Sequence, residues 1–116
     1  MNKIYLWLGF TTKSEEEYWD YFSDNDGTPQ FCIDTNLDWL DQDFMGYYYN
    51  ADSDNLQNTV ENTPESGLYE VMLEAASKKK ISKANAMFYY TGDDIVSVDE
   101  NKTYNDLIFV GVFDWE

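Results

Sequence analysis

Apolar and polar positions fall into blocks along this chain, and each block predicts an element. Ile4 to Phe10, reading Ile-Tyr-Leu-Trp-Leu-Gly-Phe, is an unbroken apolar run of strand length and residue type, so a strand buried on both faces is expected. Ser14-Glu15-Glu16-Glu17 has the form of a capping box: serine at the N-cap, glutamate three residues on, acids near the positive helix end. The helix it opens should turn Tyr18, Trp19 and Phe22 toward the core and stop in Ser23-Asp24-Asn25-Asp26-Gly27, a turn sequence. Thr28-Pro29 repeats the start signal, a cap and then proline at the first helical position, for a short helix to about Asn36. Leu37 to Tyr49 follows neither period and is expected to be extended, a strand or segment entering a turn. Asn50 to Asn55 is a polar loop, and Leu56 and Val60 mark a brief helix.

The clearest helical pattern runs from Pro64 to about Lys79. Leu68, Val71, Met72, Ala75 and Ala76 fall at i, i+3, i+4, i+7 and i+8, and lysines at the C-terminal end suit the dipole. Ala84 to Thr91 and Asp106 to Trp115 read as strands. Gly92 to Tyr104 links them, with a minor strand at Ile95 to Val98. With no internal repeat or linker, the 116 residues predict one α+β domain, 1–116. Its sheet should be mainly antiparallel, of about four strands, with helices packed against it.

Composition changes the picture chiefly by what is missing. The chain has no histidine and no arginine. Without histidine it lacks the commonest general base, the commonest metal ligand and the Ser-His and Cys-His nucleophile pairs. Without arginine it lacks the best bidentate phosphate clamp. The single cysteine, Cys32, has no intramolecular partner and no basic neighbour in sequence to activate it, so a buried structural thiol is expected. The hydrophobic fraction of 43%, with ten tyrosines, seven phenylalanines and four tryptophans, supplies ample apolar surface for a core. No run approaches the roughly 18 apolar residues of a membrane span, and Met1 to Phe10 lacks a leader's long apolar region, so a cytoplasmic protein is expected.

The net charge is −16, and it is unevenly distributed. Between Ser14 and Ser77 stand 16 acids and not one lysine; elsewhere seven acids balance seven lysines. Such a chain repels nucleic acid and anionic membrane. A solubility or salt-adaptation role and a surface built for a basic partner both fit the total, and the clustering leans to the second.

Few constellations carry chemistry. Asp24-Asn25-Asp26-Gly27 resembles part of a calcium loop, but the positions an EF-hand needs as acids are Phe22 and Ile33, so a turn is the simpler reading. Asp38, Asp41 and Asp43 would serve as Mg²⁺ ligands or a glycosidase pair only unspecifically in so acidic a chain. No cofactor or metal, and no enzyme activity, is expected. The informative segment is Asp38 to Tyr49, where those aspartates interleave with Trp39, Phe44, Tyr47, Tyr48 and Tyr49. Aromatic anchors among carboxylates suit an interface with a basic protein; a core strand with acidic outward positions fits equally. Lys78, Lys79, Lys80 and Lys83 read as a helix end and a solvated turn.

Several of these segments together resemble the immunity protein 22 family of bacterial polymorphic toxin systems. They are Trp7-Leu8-Gly9-Phe10, Ser14-Glu15-Glu16-Glu17, the block Asp38-Trp39-Leu40-Asp41-Gln42-Asp43-Phe44-Met45, Ala84-Asn85-Ala86, and Phe109-Val110-Gly111-Val112-Phe113-Asp114. The family often has a histidine between the two later aspartates of the block and an acid soon after the phenylalanine. Here Gln42 and Gly46 stand at those places. The resemblance implies a small antidote that binds a cognate toxin domain, without catalysis. The charge adds the expectation of a basic, nuclease-type toxin whose phosphate-binding groove an acidic protein can occupy. The expected contact residues are Asp38, Trp39, Asp41, Asp43, Phe44 and Tyr48. The competing expectation is an acidic nucleic-acid mimic that inhibits a DNA-binding or restriction-type protein.

Overall fold

A strand with apolar side chains at every position belongs in the middle of a sheet, and the first strand lies there. In the computed structural model, β1 (Asn2–Gly9), β2 (Met45–Tyr49), β3 (Ala86–Tyr90), β4 (Thr103–Tyr104) and β5 (Leu107–Trp115) form one antiparallel sheet in the order β2-β3-β1-β5-β4. The structure describes residues 2–23, 27–37, 40, 42–91, 98–99 and 101–115. The α+β class holds, with five strands where about four were expected. The additional one, β4, is joined to β5 by Asn105 and Asp106, both at positive φ (56° and 70°), as a two-residue hairpin turn of type I′ demands. Of the minor strand expected at Ile95 to Val98, residues 95–97 lie outside the described residues and Val98 is in no strand.

β1 is buried on both faces. Ile4, Leu6 and Leu8 enter one cluster, and Trp7, with half-buried Tyr5 beside it, enters the other. Against β5 the ladder steps from Leu6–Gly111 to Trp7–Phe109, leaving Val110 as the extra residue of a bulge. Gly111 sits there at φ 155°, a conformation that residues with a Cβ rarely adopt.

Helices cover both faces. On one lie α1 (Glu15–Asp20) and α2 (Gln30–Thr35), burying Tyr18, Phe22, Phe31 and Cys32 against Trp7, Phe88, Tyr90 and Phe109. On the other lie α3 (Leu56–Val60) and α4 (Tyr69–Lys78), burying Val60, Met72 and Ala76 against Ile4, Leu6, Leu8 and Met87. Ser14 caps α1 in the expected box: its hydroxyl accepts from the Glu17 amide (3.2 Å), and the Glu17 carboxylate accepts from its backbone N–H (3.0 Å). Trp19, expected in the core, is only half-buried.

Two helix starts differ from expectation. Pro29 precedes α2 as its cap rather than its first residue, and α2 closes on Asn36 in the left-handed region. The last helix begins at Tyr69, not Pro64. The Thr63 hydroxyl turns back to the Val60 carbonyl (2.7 Å), and a 3-10 turn over Ser66–Leu68, capped by Glu65, intervenes. Met72 and Ala76 form its buried stripe, while Val71 is 50% exposed.

Candidate functional site

Among the described residues β2 is an edge strand, paired with β3 and with no other strand. Three consecutive tyrosines give this segment no readable period, so pairing with β3 decides which ring faces where. Met45 and Tyr49 pack on the cluster of Trp7, whereas Tyr48 packs on the cluster of Ile4 and Met87. Tyr47 shares the first side: its ring lies 4.8 Å from Trp19 and 5.9 Å from Tyr18, and it remains 38% exposed. A 3-10 turn over Gln42–Phe44 precedes the strand and presents Phe44, 47% exposed, beside exposed Asp43. The Phe44 carbonyl is fixed by the Thr91 amide (2.7 Å) and hydroxyl (2.9 Å).

The structure therefore sorts the expected contact residues. Asp43 and Phe44 are exposed and adjacent. Tyr48 is half-buried on the opposite face from Tyr47, with its hydroxyl accepting from the Asn50 amide group (3.1 Å). Asp38, Trp39 and Asp41 lie outside the described residues. Tyr47, which the sequence reading did not select, is the more exposed tyrosine; the residue-by-residue pairing with β3 was the missing signal. Through Trp19 the patch continues onto α1, where Glu15, Glu16, Glu17 and Asp20 are exposed.

Gly46 pairs with Tyr89, whose phenol lies across it, and a Cβ there would come within 2.4 Å of the ring, so a side chain at this position requires the phenol to move aside.

The acid-rich stretch is contiguous in sequence but not in space. It supplies α1 and α2 on one face of the sheet and α3 and α4 on the other, with Glu61, Glu70 and Glu74 exposed on the latter. The cationic residues gather elsewhere, with Lys78 on the last turn of α4 and Lys79 and Lys80 just after it.

Burial pushes the Cys32 thiol and the Tyr18 phenol above their ordinary values, and Tyr18 donates to the Met87 carbonyl (2.8 Å). Burial, with a hydrogen bond to Asp34, also raises Tyr21. All three stay protonated at neutral pH, so none is an activated nucleophile. Among the described residues no group of three or more acids or cysteines is placed to hold a metal ion.

A family model described as Immunity protein 22 matches residues 4–116, nearly the whole chain. The chain belongs to this family. No curated protein and no solved structure matches it. Membership gives it an immunity function in general, with a toxin as its class of partner, in a family that is generally non-enzymatic. Among the described residues no helix is long and apolar enough to cross a membrane.

Proposed function

We propose that this immunity protein acts in the cytoplasm and neutralises its toxin by steric and electrostatic occlusion, using the face formed by β2, the turn before it and α1. The observation that carries this reading is β2, an edge strand among the described residues, which bears exposed Tyr47 and follows exposed Phe44, with exposed acids at Asp43 and on α1. Aromatic rings bury much area while losing few rotamers, which is why they dominate interface energetics. Edge backbone groups add hydrogen-bonding capacity to the same strip. Asp38, Trp39 and Asp41 precede this strip in the chain and belong to the proposed contact set with Asp43, Phe44 and Tyr48; Tyr47 joins them.

The toxin is proposed to be basic and of the nuclease type. An enzyme that handles phosphates must present lysine and arginine, and a protein of charge −16 is attracted to that groove. The test is affinity for the cognate toxin domain, measured by calorimetry. Phe44→Ala and Tyr47→Ala should each weaken binding about tenfold or more, as expected of central anchors. Val71→Ala, on exposed α4, should leave it unchanged. The reverse pattern would move the interface to the other face of the sheet.

A further inference from the structure

The end of β2 opens into a cleft of about 620 Å³ between the chain after β1 and the loop before α3. Its lining combines the rings of Phe10 and Tyr49 with Asp52 and Asp54, and Asn85 also lines it. One residue ties both walls together. The buried Asn85 side chain accepts from the Thr11 amide (2.8 Å) and donates to the Thr11 carbonyl (2.9 Å). Its backbone N–H donates to Gly9 (3.0 Å), and its carbonyl accepts from Asn50 (2.9 Å) on the opposite wall. The neighbouring Ala84 amide holds the Asp54 carbonyl (3.0 Å). The cleft is thus built before any ligand arrives, which lowers the ordering cost of binding.

Its chemistry selects a cation. Asp52 and Asp54 are exposed, and among the described residues neither pairs with a lysine. The Phe10 ring takes the Lys83 ammonium 4.3 Å from its centroid and remains 42% exposed. A cleft lined by both carboxylate and aromatic residues suits a guanidinium better than an ammonium, because the planar group both stacks on rings and donates in a fork. We propose that this cleft receives an arginine side chain of the toxin partner, a reading that rests on the immunity function. The location supports the partner. The five residues of β2 span about 15 Å, so Phe44 and the cleft fit under one standard interface of about 800 Å² per partner.

The test needs no toxin, so its failure is separable from failure of the immunity reading. The isotope-labelled protein is titrated with Nα-acetyl-arginine methylamide and followed by amide NMR, with the lysine and citrulline analogues as comparators. The expected result is a saturable shift confined to Thr11, Asp52, Asp54, Asn85 and their neighbours, absent with citrulline and at least tenfold weaker with lysine. The variant carrying Asp52→Asn and Asp54→Asn should keep the native spectrum and bind at least tenfold more weakly. Shifts spread evenly over the acids of α1 and α4, affinity unchanged in the double variant, equal binding of the lysine analogue, or no saturable shift would each overturn the proposal.

Discussion

On one side of the sheet Trp7 is ringed by Phe31, Phe88, Tyr104 and Phe109 at centroid distances of 5.1–6.3 Å, and Phe22 stacks on Phe88 at 4.0 Å. On the other side Ile4, Leu6, Leu8 and Met87 meet Val60, Met72 and Ala76, and among the described residues Phe113 is the one buried ring of that cluster. The longest of these helices, α4 with ten residues, lies on the second side. α1 and α2 have six residues each, about 9 Å of helix, and too few positions to cover a sheet with small side chains. Aromatic rings, which bury roughly 150–250 Å² apiece, make up the area. α4 is longer, and alanines on its inner face let it lie close to the strands.

The aromatic layer also reaches the surface. Ring contacts run from Trp7 through Phe88 and Phe22 to Trp19 and then to exposed Tyr47. A surface ring that continues a packed core is already ordered when a partner arrives, so less freedom is lost on binding. The rings at the margin of the aliphatic layer, Tyr48, Tyr69 and Tyr89, are half-buried rather than exposed, and its longest helix ends in lysines. Charge alone does not distinguish the two layers, because acids decorate both; the exposed aromatics do.

Truncations in the two layers carry the largest expected effects. Phe22→Ala removes a ring stacked at the centre of the aromatic layer and should cost about 4 kcal/mol in urea unfolding. Met72→Ala in the aliphatic layer should cost less, about 2–3 kcal/mol, because flexible neighbours collapse more readily into the space. Equal or reversed costs would mean that the rings are not the more demanding packing.

Asn85→Ala comes next. It leaves the buried Thr11 N–H and carbonyl without their partner, and should cost about 2 kcal/mol. Hydrogen exchange should accelerate at Thr11 while the amides of α4 stay protected. Uniform acceleration would show that Asn85 supports the whole sheet rather than the cleft.

The smallest effect belongs to the first helix of the aromatic layer. Ser14→Ala should cost about 1 kcal/mol. The Ser14 backbone N–H, and then its hydroxyl, hold the Glu17 carboxyl below its ordinary value of 4.5. A group with a lowered folded pKa stabilises the fold above its unfolded pKa and loses that contribution as pH falls through the folded one. The gap in stability between wild type and Glu17→Gln, which removes the titrating carboxylate, should therefore be full at pH 7 and narrow below about pH 4. A gap that widens on acidification would contradict the capping box.

Much of this architecture was legible in the residues. The continuous apolar run of β1 requires a central strand, and the Ser14 box and the Leu56–Val60 pattern stand where read. What escaped reading depends on partners distant in sequence. β4 is two residues long and exists because a non-glycine pair adopts positive φ before β5. Pro64 mimics a first helical residue, yet the Thr63 hydroxyl faces backward and the start slips to Tyr69. Among Tyr47, Tyr48 and Tyr49 only the register against β3 separates the exposed ring from the half-buried ones. Within the segment expected to make contact, Asp43 and Phe44 are exposed and Tyr48 is half-buried, while Tyr47 is the more exposed ring.

Hydrogen exchange of the protein with and without its toxin domain tests most directly which layer meets the partner. Binding through the aromatic side should slow exchange at Asp43–Tyr49, Thr11–Thr12 and Asp52–Asn55, and leave α4 at its free rate. Protection confined to α3 and α4, with β2 unchanged, would place the toxin on the aliphatic side and contradict this assignment.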